Sequence, residues 1–107
     1  MNPIIPRELT NEEIIDIIRD FAKATKIAIT ANFDGVEIHG ANGYLLQQFY
    51  SPHANRRKDR WGGSREKRLE FPMEVINEVK STVEKYGDDF FIIGYRSTPE
   101  EPGLTMM

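Results

Sequence analysis

The segment Phe90-Phe91-Ile92-Ile93-Gly94-Tyr95-Arg96 constrains the fold more than any other stretch of the chain. It is rich in aromatic and β-branched residues and apolar on both faces, the pattern of a buried parallel strand. Such a strand implies a helical crossover before it. The preceding residues supply one: Leu69, Pro72, Val75, Ile76, Val79 and Val83 form an apolar stripe with charges between them. Ser64 is placed to cap the first orphan amides of this helix, and Gly87 ends it after Tyr86. Pro72 comes late for a helix start, so a kink or a restart near Phe71 is expected.

Upstream, Thr10 and Glu13 have the spacing of a capping box. Ile14, Ile17, Ile18, Phe21, Ala24, Thr25, Ala28 and Ala31 then recur at helical spacing, with Glu12, Asp16, Lys23 and Lys26 outward. The helix should run from about Asn11 to Ala31, with Asn32 in the left-handed position that follows. Gly35 to His39 reads as a short strand in which Ile38 faces the packing layer and Glu37 points the other way, toward a salt-bridge partner. From Gly43 to Phe49 the chain suits a short helix or a tight loop that packs Leu45, Leu46 and Phe49. Ser51 to Arg60 is a polar, basic loop, and Trp61-Gly62-Gly63-Ser64 is a turn. The order is helix, strand, long loop, helix, strand: an α/β arrangement of one βα unit with an extra helix before it and an extra strand after it. Beyond Arg96 the polar, Pro-rich residues read as a loop or frayed tail.

Composition narrows the functions. Apolar residues make up 39% and charged residues 29%, which suits a globular chain and argues against disorder. A net charge of -3 gives no reason to expect nucleic acid or an anionic membrane as partner. Asn55 to Arg60 could suggest a phosphate or RNA module, but Asp59 interrupts the cations and no phosphate loop accompanies them. Contacts of the Arg57 to Asp59 type within an ordered loop are the simpler expectation. The absence of cysteine excludes disulfides, thiolate metal sites, iron-sulfur clusters and thiol catalysis, and no metal site is expected. No apolar run is long enough to span a bilayer. Met1 to Glu13 lacks the pattern of a signal peptide, so the cytoplasm is the expected location.

The polar groups that could do chemistry gather after the first strand, where His39, Asn42 and Tyr44 fall close together among glycines. An imidazole and a carboxamide there can both donate to one ligand oxygen, and a phenol beside them can supply a proton. In parallel α/β proteins ligands sit outside the C-terminal strand ends, so the position fits the chemistry. The same residues could also be turn-stabilising polar groups, Tyr44 an ordinary packed aromatic, and Arg96 a partner of Glu100 or Glu101.

VEIHGANGYLLQQF, followed by SPHANRRKDRWGGSREKRLEF and then GYRSTPEE, closely resembles the old yellow enzyme family of FMN-dependent ene-reductases and NADH:flavin oxidoreductases. The resemblance runs from Pro6 to about Pro102 with its motifs in order. It implies a TIM (β/α)8 barrel that holds FMN at its C-terminal strand ends, takes hydride from NAD(P)H and passes it to a small activated alkene. By that resemblance His39 and Asn42 bind the substrate's carbonyl or nitro oxygen, Tyr44 is the catalytic proton donor, and Arg96 binds the cofactor at the flavin's N1/O2 edge. Ser97-Thr98-Pro99 departs from the family's usual apolar residue followed by Ser-Pro.

At 107 residues the chain is too short for a complete barrel, which needs about 200 residues or more. Residues 1–107 are therefore expected to form a single partial domain, roughly a third of the barrel. Such a fragment of an oxidoreductase is expected to be inactive alone and to bind FMN weakly or not at all. The alternative is a non-catalytic piece that hides its exposed barrel edges in a homo-oligomer or complements other barrel segments.

Overall fold

The computed structural model describes residues 7–40, 45–52 and 54–97. Its elements are α1 (Asn11–Thr30), β1 (Gly35–Gly40), α2 (Leu45–Tyr50), α3 (Arg65–Tyr86) and β2 (Ile92–Ser97). Strands β1 and β2 pair in parallel, with Val36 opposite Ile93, Ile38 opposite Tyr95 and His39 opposite Arg96.

Helix α1 starts where the capping box requires. The Thr10 side chain accepts from the Glu13 amide at 3.2 Å, and the Glu13 carboxylate accepts from the Thr10 amide at 2.9 Å. Asn32 carries the chain out of the helix with φ of 66°, the left-handed conformation expected of it. The apolar stripe is covered for only part of its length. Ile14 and Ile18 are buried, whereas Ala24 and Ala31 are exposed and Thr25 is the buried residue near that end. The Thr25 hydroxyl donates to the Phe21 carbonyl at 2.8 Å, which removes the cost of burying it.

Helix α3 is continuous through Pro72, so the restart expected near Phe71 does not occur. An interior proline costs about 3 kcal/mol in an exposed helix. Here Phe71 and Pro72 are both buried, and core packing offsets that loss. Ser64 accepts from the Lys67 amide as the N-cap. Gly87 ends the helix in extended rather than left-handed backbone, and it is small for a steric reason. A Cβ there would sit 2.9 Å from the Val83 carbonyl oxygen.

The core lies between α1, α3, α2 and one face of the sheet. Ile14, Ile18, Ile38, Leu46, Phe49, Trp61, Phe71, Val75 and Val79 form it, with Val36 and Ile93 packed against it. The Phe49 and Phe71 rings stack at 4.2 Å, and Trp61 meets Phe71 edge-on at 6.4 Å. Trp61 lies in the expected turn and has 0% exposure, so its indole is a centre of the core.

The expectation that β2 is buried on both faces is not met. Phe90 precedes the strand in a turn and is 87% exposed, and Ile92 is 66% exposed. Side chains alternate across a strand. Val36, Ile38 and Ile93 therefore meet the core, while Glu37, His39, Ile92 and Arg96 share the face the helices leave open.

Candidate active site

That open face gathers the described polar residues of interest at its C-terminal end. His39 and Arg96 are direct neighbours across the parallel ladder, so both side chains project from the same face. His39 is half-buried, with its Nδ1 shielded from solvent. The Arg96 side chain is 58% exposed.

Two residues toward the N-terminal end of the strands, Glu37 lies opposite Gly94 and reaches diagonally to Arg96. Arg96 Nε donates to Glu37 Oε1 at 2.6 Å. Glu37 thus has the salt-bridge partner its position demanded, and Arg96 is paired within the sheet. The expected alternatives, Glu100 and Glu101, lie outside the described residues, as do Asn42 and Tyr44. In the sequence, Asn42 and Tyr44 come two and four residues after Gly40, the last residue of β1.

A second phenol, Tyr95, belongs to the other face of the sheet, in register with Ile38. Burial pushes its pKa above the ordinary value, so it stays protonated at neutral pH.

The basic loop after α2 is a structural strap. The Asn55 amide nitrogen donates to the carbonyls of Phe49 at 2.5 Å and Trp61 at 2.8 Å, and its Oδ1 accepts from the Arg57 amide at 3.0 Å. Arg57 donates to both Asp59 carboxylate oxygens at 3.0 and 2.6 Å and reaches the Leu9 carbonyl at 2.7 Å. These bonds hold the Arg57 guanidinium above its usual pKa and Asp59 below the usual carboxylate range. Arg60 stacks over Trp61 at 4.2 Å and approaches Glu70 and Glu74. Trp61 Nε1 donates to Asn11 Oδ1 at 2.7 Å, tying the strap to the start of α1. The Arg57 to Asp59 contact expected from the sequence is present, and these two arginines are engaged within the protein. A cleft of about 500 Å³ beside the strap is lined by Leu9, Leu45, Phe49 and Arg57 among others, and contains neither His39 nor Arg96.

Among the described residues no three His, Asp or Glu side chains cluster to hold a metal ion. Nor is any described helix long and apolar enough to cross a membrane.

Comparison with known proteins gives this geometry a frame. The model of the NADH:flavin oxidoreductase / NADH oxidase family matches residues 1–107. The chain is 58% identical over 105 residues to "Probable NADH-dependent flavin oxidoreductase YqiG" of Bacillus subtilis, covering 95% of this chain and 28% of that protein. It is 52% identical over 106 residues to the NADH:acrylate oxidoreductase of Vibrio harveyi, covering 96% of this chain and 11% of that protein. Among solved structures, morphinone reductase in complex with tetrahydroNAD superposes with a TM-score of 0.77 at 42% identity, over 88% of this chain and 24% of that one. Old Yellow Enzyme from Pichia sp. AKU4542 superposes with a TM-score of 0.76 at 41% identity, over 87% of this chain and 23% of that one. These neighbours are TIM barrels, of which the chain spans about a quarter, somewhat less than the third expected from the sequence. The two parallel strands and their helices correspond to that fraction, and with the family model matched from the first residue to the last, the chain belongs to the NADH:flavin oxidoreductase / NADH oxidase family.

Proposed function

We propose that this chain forms the substrate-binding and flavin-edge part of an FMN-dependent oxidoreductase that passes hydride from NAD(P)H to a small activated alkene or similar acceptor. The observation that carries the reading is the pairing of His39 with Arg96 at the C-terminal ends of β1 and β2, on the face that the helices leave uncovered. The donor set fits an electron-rich flavin edge: a guanidinium that keeps its charge at all working pH values stands beside an imidazole.

In this reading Arg96 would hold the N1/O2 edge of FMN, which when bound supplies the hydride-transfer chemistry. His39 and Asn42 donate hydrogen bonds to the acceptor's carbonyl or nitro oxygen, drawing electrons from the alkene and stabilising charge that gathers on that oxygen. Tyr44 gives a proton to the alkene's α-carbon; a phenol with an ordinary pKa of about 10 is protonated and able to do so at neutral pH. Residues 1–107 are then a single partial domain. By itself the chain offers isoalloxazine one wall only and is expected to bind FMN weakly or not at all.

The test is an FMN titration, followed by flavin fluorescence and by NADH oxidation with and without an activated alkene, on the isolated chain and on the intact protein that carries it. Alkene-dependent turnover by the intact protein supports the reading. Micromolar binding with turnover by the isolated chain contradicts the inactivity expected of it, and no FMN binding by the intact protein sinks the flavin reading.

One observation favours a second reading, in which the isolated chain is a non-catalytic piece that self-associates or complements other barrel segments. Phe90 and Ile92 are 87% and 66% exposed beside strand edges that no other described strand pairs, and such surfaces seek partners. Sedimentation of the isolated chain decides it, since a stable monomer at high concentration excludes the homo-oligomer.

A further inference from the structure

Glu37 is the charged residue of the open face that the proposed chemistry leaves without a task. Its partner geometry is specific. Glu37 stands opposite Gly94, whose position would bring even an added Cβ no closer than ordinary contact, 3.7 Å from Glu37 Cγ. The carboxylate crosses the ladder and takes the Nε–H of Arg96 at 2.6 Å. The helices pack on the opposite face of the sheet, and the Glu37 and Arg96 side chains are 51% and 58% exposed.

We propose that Glu37 is a positioning residue for Arg96 and a tuner of the flavin that Arg96 would hold, an inference that rests on the flavoprotein reading above. A guanidinium has one Nε–H and two Nη amino groups. With Nε–H committed to Glu37, the plane of the group is set and ligand recognition falls to the Nη groups. The pair is also close to neutral as a unit. Two electrons and a proton enter a flavin as hydride from NAD(P)H and leave as hydride to the acceptor, and the reduced ring carries the greater negative charge. A carboxylate next to the cation that faces that ring opposes the accumulation of this charge. Glu37 therefore holds the flavin at a lower potential than an unpaired arginine would, which favours onward delivery of hydride.

The experiment uses the intact FMN-loaded protein with Glu37→Gln and Glu37→Ala, reading the flavin midpoint potential by spectroelectrochemical titration and FMN affinity by fluorescence quenching. Glu37→Gln keeps an oxygen acceptor for Nε–H but removes the charge. Its potential should move positive while FMN affinity stays within about threefold, as expected for a swap that retains the hydrogen bond. Glu37→Ala removes both functions, and its FMN affinity should fall by about tenfold, as for loss of a charge-assisted bond. A residue that only helps the strands pair would change thermal stability and leave the potential where it was. A Glu37→Gln potential equal to that of the native protein overturns the proposal while leaving the flavoprotein reading intact. Failure of the native protein to bind FMN overturns that reading, and this inference with it.

Discussion

His39 and Arg96 occupy opposing positions in the β1–β2 ladder and emerge from the same face of the sheet. Parallel pairing makes this unavoidable once the register is set, because a side chain and its ladder partner point the same way. One residue of slip would turn Arg96 toward the helices and separate it from the imidazole. The register is held by the apolar side, where Val36 and Ile93 face each other and Ile38 is buried. Packing on the face with no chemistry thus aligns the face proposed to carry it.

Tyr44→Phe in the intact protein should separate the two half-reactions. Reduction of the flavin by NADH does not need the phenol, so its rate should be unchanged. Alkene reduction should slow by about 10²–10⁴-fold, the usual worth of a general acid. Stopped-flow measurement of the two halves checks this, and equal slowing of both would remove Tyr44 from the proton-donor role.

Asn55→Ala should destabilise the fold although the side chain touches no proposed site. It strands the carbonyls of Phe49 and Trp61 and the amide of Arg57. Leaving such groups unpaired costs about 1–3 kcal/mol. Trp61 is the sole tryptophan and is fully buried, so its emission reports unfolding directly. A denaturant midpoint equal to the native one would mean the strap does not depend on Asn55.

Two glycines of the sheet should respond differently to alanine. At Gly35 a Cβ would lie 2.5 Å from the Ile92 carbonyl oxygen, and a strand backbone cannot give way cheaply. Gly35→Ala should cost about 1–3 kcal/mol, as overpacking does. At Gly94 the nearest atom would be 3.7 Å away, ordinary contact, and alanine lowers the entropy lost on folding. Gly94→Ala should be neutral or slightly stabilising. Chemical denaturation of the two variants compares them, and equal losses would show that the close approach at Gly35 is not limiting.

The start of α1 should weaken in acid. The Glu13 carboxylate is held at about 2, down from the ordinary 4.5, first by its hydrogen bond from Arg7 and then by the amide of Thr10. A folded-state pKa below the unfolded one contributes stability that is complete above about pH 4.5 and is lost as pH falls toward 2. The stability difference between native protein and Glu13→Gln should therefore shrink across that range. Urea titrations at several pH values measure it, and a difference that stays constant would exclude the pairing as its source.

Local signals predicted the elements well because their causes are local. The Thr10 and Glu13 capping box, Asn32 beyond the helix end, Ser64 as N-cap and the alternation of Val36, Glu37 and Ile38 each act within a few residues. The turn at Trp61 was legible, but the burial of its indole was not, because its turn-like neighbours, Gly62 and Gly63, describe the backbone and say nothing of where an indole goes. Gly63 does take positive φ, yet the ring beside it is buried against Phe71 and anchored to Asn11 far away in the chain. The restart expected near Phe71 is absent for a related reason, since the helical cost of Pro72 is local while the burial that offsets it comes from other elements.

His39, Asn42 and Tyr44 can be singled out from the amino-acid order by spacing and residue chemistry, and Arg96 by the family resemblance, neither of which needs coordinates. That Arg96 lies beside His39, and that Glu37 takes its Nε–H, was decided only when β1 and β2 paired. Strand register arises from packing between segments distant in the chain, and no local rule contains it. The same pairing left Ile92 and Arg96 exposed, since covering a sheet's second face takes additional secondary structure, which a hydrophobic pattern can call for but cannot provide.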